Sequence, residues 1–300
     1  MHEESEKTPR QDSDIVKMEP WKREFYRKHL TPITINISGY HKVAGLTKKQ
    51  QFIDRSSGLA AQFTRFNQTH TVPTYLIPLR RQGQNILELQ KEPLVLAVET
   101  FWVDTNGEDL EVVHVWDGKE WKLDWECYAP YSNVPWTLFR SGVGKQEGEF
   151  RLLVRQRKSL TNSDKMTLLF YFPQQAGKEN LEEIRKTESP EVEVDRSSEI
   201  GKKLIALFEN RKKGERPLGS LLGQNDPKEM IRVTVELAWE RRGEGEDEEA
   251  KMVLKKLNGV SWFGSRIQEV IAAQENVEEK GESKSGLNEA VPDSNIAGDE

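Results

Sequence analysis

The chain has little cysteine, dispersed histidine and no long apolar run, and each shortage excludes a class of protein. Cys127 is the one cysteine in 300 residues, so no disulfide can form within the chain. The five histidines have no paired spacing, which argues against a zinc site. No stretch approaches the roughly 20 apolar residues of a membrane-spanning helix, and the first residues lack the apolar core of a signal peptide. These shortages predict a soluble, cytoplasmic protein without a metal site.

Apolar residues are also scarce overall, and the two ends of the chain account for the shortage. Hydrophobic residues make up 35% of the chain and charged residues 31%, which is a low apolar content for a fully folded chain. Residues 1–14 and 274–300 hold almost no large apolar side chains, so we expect disordered acidic tails there. Residues 15–273 would then form a single α+β domain, with a candidate internal boundary in the polar stretch near residues 174–195.

The negative net charge belongs to the tails rather than to the predicted domain. The N-terminal tail carries −3, the C-terminal tail carries −6, and the whole chain carries −6. Residues 15–273 therefore carry +3, even though the loop over residues 243–249 contains five acids. This positive excess is small and not clustered, so we do not expect nucleic acid as a partner.

Hydrophobic periodicity at the start of the domain predicts two short helices and one strand. A helix over residues 21–29 is expected to end before Pro32, and the alternating isoleucines of residues 33–37 predict a strand. Thr47 and Gln50 have the spacing of a capping box, which predicts a helix beginning there.

The later segments predict a helix carrying Leu59, Phe63 and Phe66, then mostly strands, then one helix capped by Ser197 or Ser198. The strands are expected over residues 86–89, 94–103, 111–116, 121–126, 150–154, 166–172, 231–239 and 251–257. Short turns between many of them favour antiparallel pairing. The predicted fold class is α+β: a mostly antiparallel curved sheet with N-terminal helices, one later helix and a closing C-terminal β-hairpin.

Tryptophan is concentrated in and around one predicted hairpin, residues 111–126, here called the Trp hairpin. Five of the eight tryptophans fall within 35 residues, and an Asp-Gly turn lies among them. A four-residue loop would pair Trp116 with Trp121, whereas a two-residue loop would pair Trp116 with Lys119. Either register puts alternate residues of the two strands on one face. These residues are Val112, His114, Trp116, Trp121, Leu123 and Trp125.

This aromatic face has two interpretations. The favoured one is a buried core in which His114 is a hydrogen-bonded filler, because large aromatic side chains mostly supply buried area. The alternative is an aromatic-lined pocket gated by His114, for an apolar or sugar-like ligand.

Asp124 and Glu126 are the candidate catalytic residues, with His114 as a third. Two residues apart on a strand, the carboxylates would share a face about 7 Å apart, which suits acid–base chemistry on a small substrate. The opposing interpretation is a solvated face with Lys122 as ion-pair partner, where alanine would leave stability unchanged. We favour the latter, because no nucleophile accompanies the acids and His114 lies on the opposite face.

Glycine-rich and basic patterns elsewhere in the chain are weaker indications of a functional site. Residues 142–145 lack the earlier glycine and the following Ser or Thr of a phosphate-binding loop, and residues 219–223 lack its strand-to-helix context. We therefore expect no cofactor. Arg151, Arg155 and Arg157 alternate along one strand and could meet an anionic partner, although such a row is usually a solvated face.

The block over residues 117–139 resembles a family of uncharacterised bacterial proteins built around DG-x-x-W-x-x-DWE-x-x-x-x-YS-x-x-x-W-x-x-F. The matching positions are Asp117, Gly118, Trp121, Asp124, Trp125, Glu126, Tyr131, Ser132, Trp136 and Phe139. The resemblance covers most of residues 45–262 and implies no catalytic residues, since the family has no assigned activity. Its members often begin with a basic segment and a membrane anchor, neither of which this chain shows. The element order also resembles the nuclear transport factor 2-like cone fold, which serves enzymes, ligand binders and scaffolds alike.

These features predict a non-catalytic binding or interaction module that holds a protein partner or a small ligand on the concave face of its sheet. The alternative is a small-molecule hydrolase or isomerase that uses Asp124 and Glu126 in a sheet-lined pocket. The two hypotheses differ in whether these acids and His114 converge in one cavity.

Overall fold

The computed structural model describes residues 20–69, 83–88, 95–103, 109–129, 132, 134–157, 164–173, 185–241 and 250–271. Several predicted features lie outside these residues: both acidic tails, the acidic loop over residues 243–249, and Tyr131 of the motif. The described part contains helices and antiparallel sheets, which confirms the α+β class.

One long helix, α1 (Pro20–Lys42), replaces the predicted short helix and strand. Ile33 and Ile37 are buried, whereas Ile35 between them is 63% exposed, so the isoleucines mark one face of a helix and not of a strand. Pro32 lies inside α1, where a missing backbone hydrogen bond costs about 3 kcal/mol. The helix persists because its apolar face packs against the Trp hairpin. The predictions of a helix end and a strand here were therefore wrong.

Two further helices follow, α2 (Leu46–Gln50) and α3 (Ser56–Thr69). The predicted capping box is absent, because the N-cap of α2 is Gly45 and no side chain caps that helix. The predicted apolar face of α3 is confirmed, since Phe63 and Phe66 are both buried.

The first sheet has four antiparallel strands in the order β1–β2–β3–β4. They are β1 (Gly83–Glu88), β2 (Val95–Val103), β3 (Asp109–Trp116) and β4 (Trp121–Leu123). Side chains from α1 and α3 pack on one face of this sheet, and residues 263–271 pack on the other. Both faces of its described central strands are therefore buried. Two short helices, α4 (Trp125–Tyr128) and α5 (Trp136–Arg140), lead to the second sheet.

The second sheet has five antiparallel strands in the order β7–β6–β5–β8–β9. They are β5 (Glu147–Arg157), β6 (Lys165–Tyr171), β7 (Val192–Asp195), β8 (Met230–Arg241) and β9 (Ala250–Gly259). Register shifts between β8 and β9 bend the sheet, and its edge strands β7 and β9 contact each other. The predicted curved antiparallel sheet and closing hairpin are thus confirmed, although the strands form two sheets and β7 was not predicted.

Helix α6 (Glu199–Lys213) covers the second sheet through Leu204 and Phe208. Ser198, one of the two predicted caps, is the N-cap, because its side chain accepts a hydrogen bond from the backbone N–H of Gly201. After β9, residues 265–271 form a last helical stretch, α7, at the end of the described chain. None of the helices within the described ranges combines the length and the apolar character needed to span a membrane.

Candidate functional site

The Trp hairpin has the four-residue loop that was one of the two predicted registers. Trp116 pairs with Trp121, and His114 pairs with Leu123. The carboxylate of Asp117 closes the turn by accepting hydrogen bonds from the backbone N–H groups of Lys119 and Glu120, both at 2.8 Å. This side chain–backbone turn stabilises the four-residue loop locally.

The predicted aromatic face is packed as core except at Trp116, which is 40% exposed. Trp125 is 1% exposed, and Phe63 and Phe66 from α3 meet its ring edge-to-face at centroid distances of 5.4 and 5.5 Å. Trp121 donates from its indole to His29 of α1 at 3.1 Å. The arrangement matches the favoured interpretation, in which the tryptophans supply buried area.

His114 is completely buried within this core, and neither ring nitrogen has a hydrogen-bond partner among the described residues. It therefore differs from the predicted hydrogen-bonded filler. Burial lowers the pKa of His114 to about 3, so the ring is neutral at physiological pH. A neutral, fully buried ring is poorly placed for proton transfer to a substrate.

The DWE motif does not continue the strand, and the prediction that placed Asp124 and Glu126 two residues apart on a strand face was wrong. Strand β4 ends at Leu123, and Asp124 becomes the N-cap of α4. Its carboxylate accepts a hydrogen bond from the backbone N–H of Cys127 at 3.1 Å. Because this cap starts helix α4 at Trp125, the side chains of Asp124 and Glu126 do not share a strand face.

The solvated-face interpretation of the acids was also wrong. Asp124 is 5% exposed, and its second oxygen accepts from the backbone N–H of Gly264 at 2.8 Å. Glu126 is partly buried; it accepts from Arg151 at 2.7 Å and from the N–H of Ser265 at 3.0 Å. The two acids therefore attach the start of α7 to the hairpin.

The electrostatics of Asp124 follow from this burial. Burial raises the pKa of Asp124 to about 7, the N–H groups of Gly264 and Cys127 oppose the rise, and neighbouring Glu126 adds to it. The predicted partner Lys122 instead forms an ion pair with Glu120 at 2.7 Å.

The three candidate catalytic residues do not converge in one cavity. His114 belongs to the α1–α3 side of the first sheet, whereas the carboxylate of Asp124 contacts Gly264 on the other side. Glu126 borders an open cleft of about 650 Å³, here called the Glu126 cleft, and neither His114 nor Asp124 is among the described residues that line it. Its other charged lining residues are Lys145, Glu147, Glu149, Arg151 and Glu236. Within the described ranges, no three His, Cys, Asp or Glu side chains are grouped so that they could hold a metal ion.

The row of arginines on β5 is matched by acids of the chain itself. Arg151 pairs with Glu126, Arg155 lies 3.6 Å from Glu188, and Arg157 pairs with Glu191. The charges of these arginines are therefore paired within the chain, although the Nε atoms of Arg151 and Arg155 have no hydrogen-bond partner among the described residues.

A second cleft, of about 370 Å³, lies beside α6 and is here called the α6 cleft. Its walls come from the C-terminal half of α6, the connection over residues 215–226, the start of β8, and residues 260, 261 and 271. Most of the wall is apolar. The main apolar side chains are Leu207, Leu218, Met230, Ile231, Val260 and Ile271.

Three arginines reach the α6 cleft, and they differ in how well their charges are matched. Arg232 is paired with Asp226 at 2.6 and 2.8 Å and with Glu111 at 2.5 Å. Arg211 donates to two backbone carbonyl oxygens, at 3.2 and 3.0 Å. The Nε of Arg216 is buried and has no hydrogen-bond partner within the described part of the chain.

The connection that forms the floor of the α6 cleft is held rigidly. Glu99, buried on β2, accepts from the hydroxyl of Ser220 and from the N–H of Leu221, the latter at 2.8 Å. Glu111 accepts from the N–H of Gly223 at 2.9 Å. Leu218, whose side chain lines the cleft, has a φ of 55°, a left-handed conformation that costs a non-glycine residue about 1–3 kcal/mol. Strain of this kind, held by surrounding contacts, is typical of binding sites.

Comparison with models of protein families, with curated proteins and with solved structures finds no match to this chain. The resemblance of the motif block to a bacterial family, and of the element order to the nuclear transport factor 2-like cone, therefore stays a prediction.

The α6 cleft was not predicted from the sequence, in which residues 219–223 were considered only as a phosphate-binding loop and rejected. The available signal was Arg211 and Arg216 on either side of the end of an amphipathic helix, next to a loop rich in leucine and glycine. That signal is weak, since the remaining walls come from residues up to 271.

Proposed function

We propose that this protein is a non-catalytic module that binds a small amphipathic ligand in the α6 cleft. The observation that carries the proposal is the buried, unpartnered Nε of Arg216 in an apolar-walled cleft of about 370 Å³. Ligand sites are typically such clefts, with few polar groups among apolar walls. A buried donor without an acceptor costs about 1–3 kcal/mol, which a ligand oxygen would recover.

The geometry supports binding over the alternative of a hydrolase or isomerase. Both carboxylate oxygens of Asp124 accept backbone N–H groups, and Asp124 lines neither cleft described above. Glu126 is committed to Arg151 and Ser265. Acid–base catalysis needs such groups within reach of a substrate.

Filling the cleft is expected to abolish ligand binding. Val260→Trp places a large ring in the α6 cleft, and Val143→Trp, at a 56% exposed valine elsewhere, is the matched control. Thermal unfolding is followed for the full chain with decyl amphiphiles bearing anionic, cationic or neutral head groups. At a hundredfold excess over Kd, a bound amphiphile raises Tm by roughly 5–10 °C in the wild type and in Val143→Trp, and not in Val260→Trp.

Ile271→Trp fills the same cleft from α7 and serves if Val260→Trp does not fold. Absence of a Tm shift with all three head groups would overturn the proposed function. So would an equal shift in the wild type and in a folded cleft-filling variant.

A further inference from the structure

The apolar walls and volume of the α6 cleft limit the size of its ligand. At about 30 Å³ for each water-sized group, a cleft of about 370 Å³ holds roughly 12 non-hydrogen atoms. Leu207, Met230, Ile231 and Val260 are aliphatic or thioether side chains without donors or acceptors. They fit a hydrocarbon chain better than a polar ring, because a buried hydroxyl or amide there would lack a partner.

The polar side of the cleft is cationic. Among the lining acids, Asp226 is bound by both donors of the Arg232 fork, and Glu215 is exposed to solvent. Three arginines and two acids line the cleft, which gives the lining a net charge of +1, and the Nε of Arg216 has no acceptor within the described ranges. Burial lowers the pKa of Arg211, and neighbouring Arg216 adds to this effect, whereas Asp226 opposes it.

Arg211 and Arg216 together can bind one carboxylate group. Arg211 already donates from Nη2 to the carbonyl oxygens of Gly223 and Asp226, so its fork is partly committed. The buried Nε of Arg216 has no hydrogen-bond partner within the described ranges and needs an acceptor. A guanidinium binds a carboxylate through two parallel N–H groups, at fixed geometry.

We infer that the α6 cleft binds a singly charged carboxylate that carries an unbranched hydrocarbon chain of about ten carbon atoms, with Arg216 binding the carboxylate. The chain lies along the apolar wall made by α6, the start of β8 and Val260. This inference rests on the proposed function and adds the charge and the class of the ligand.

Decanoate, 1-decanol and acetate separate the contributions of charge and chain. Their binding to the full chain is measured by calorimetry or by Tm shift at pH 7.5. Decanoate is expected to bind at least tenfold more tightly than either decanol or acetate. Arg216→Met should weaken decanoate binding roughly ten- to a hundredfold, as for loss of a charge-assisted hydrogen bond. Its effect on decanol should stay within threefold.

Lys213→Met is the matched control, since it removes one exposed cation near the end of α6 without touching the cleft. It should leave decanoate binding within twofold. Arg216→Lys keeps the positive charge but loses the parallel N–H donors of the guanidinium. Its loss of decanoate affinity should therefore lie between those of Lys213→Met and Arg216→Met. If Arg216→Met does not fold, Arg216→Lys and the comparison of decanoate, decanol and acetate test the inference instead.

The outcomes separate the inference from the proposed function. The carboxylate assignment would be overturned if decanol and decanoate bound equally well, or if Arg216→Met had an unchanged affinity for decanoate. The proposed function, binding of an apolar ligand in the α6 cleft, would still stand. Preference for a decyl cation would overturn the carboxylate assignment likewise. Binding of no decyl compound would overturn both.

Discussion

Arg232→Met is expected to destabilise the protein by about 3–5 kcal/mol, because it leaves the buried carboxylate of Asp226 and the partly buried carboxylate of Glu111 without their shared cation. The guanidinium of Arg232 joins Asp226 of the cleft floor to Glu111 of β3, and it lies 4.1 Å from the ring centre of Trp262. Burial lowers the pKa of Arg232, but Glu111 and Asp226 outweigh it and raise that pKa above its usual value. The charged form is therefore the one that stabilises the fold.

Urea unfolding of Arg232→Met measures this loss, with Arg157→Met as matched control. Arg157 lies on the neighbouring strand and pairs with Glu191, but its side chain is 59% exposed, and such surface pairs contribute about 0–1 kcal/mol. Similar stabilities of the two variants would contradict a buried ionic link between the sheets.

Asp124→Ala is expected to be the second large effect, and its size should depend on pH. The substitution leaves the N–H groups of Cys127 and Gly264 without acceptors, at about 1–3 kcal/mol each. The folded-state pKa of Asp124 is raised to about 7 from 3.8. Its contribution is therefore fully present below pH 3.8 and is lost as the pH rises through 7.

We expect Asp124→Ala to lower the free energy of unfolding by about 3–5 kcal/mol at pH 5. At pH 8 the reduction should be smaller by about 2–3 kcal/mol. His114 is present in both chains, so its own titration cancels from this difference. Glu120→Ala removes an exposed acid of the same hairpin and should stay within about 0.5–1 kcal/mol of the wild type at both pH values. An effect of Asp124→Ala that is independent of pH, or as small as that of Glu120→Ala, would contradict the buried-cap role.

The fold was predictable where one local pattern dominates. The alternation along residues 231–239 identified β8, and Ser198 identified the start of α6. Prediction was wrong where two periods coincide: Ile33 and Ile37 satisfy both a strand and a helix, and packing on the hairpin chose the helix. It was also wrong at Asp124, because an N-cap signal was read as a strand position.

The candidate site was harder to predict, because its contacts join residues far apart in the chain. Gly264 donates to Asp124 across 140 residues, and Glu99 holds Ser220 across 121. Nothing local to either residue indicates its partner. The charge of Arg216 could be read from the sequence, but its lack of a partner is a property of the folded chain.

The location of a bound ligand tests the central claim most directly. A crystal structure of the full chain with decanoate is predicted to show the ligand in the α6 cleft. Its carboxylate should lie within hydrogen-bond distance of Arg216 and its chain against Val260, with no change at Asp124. Decanoate in the Glu126 cleft, or between the aromatic rings around His114, would contradict the account.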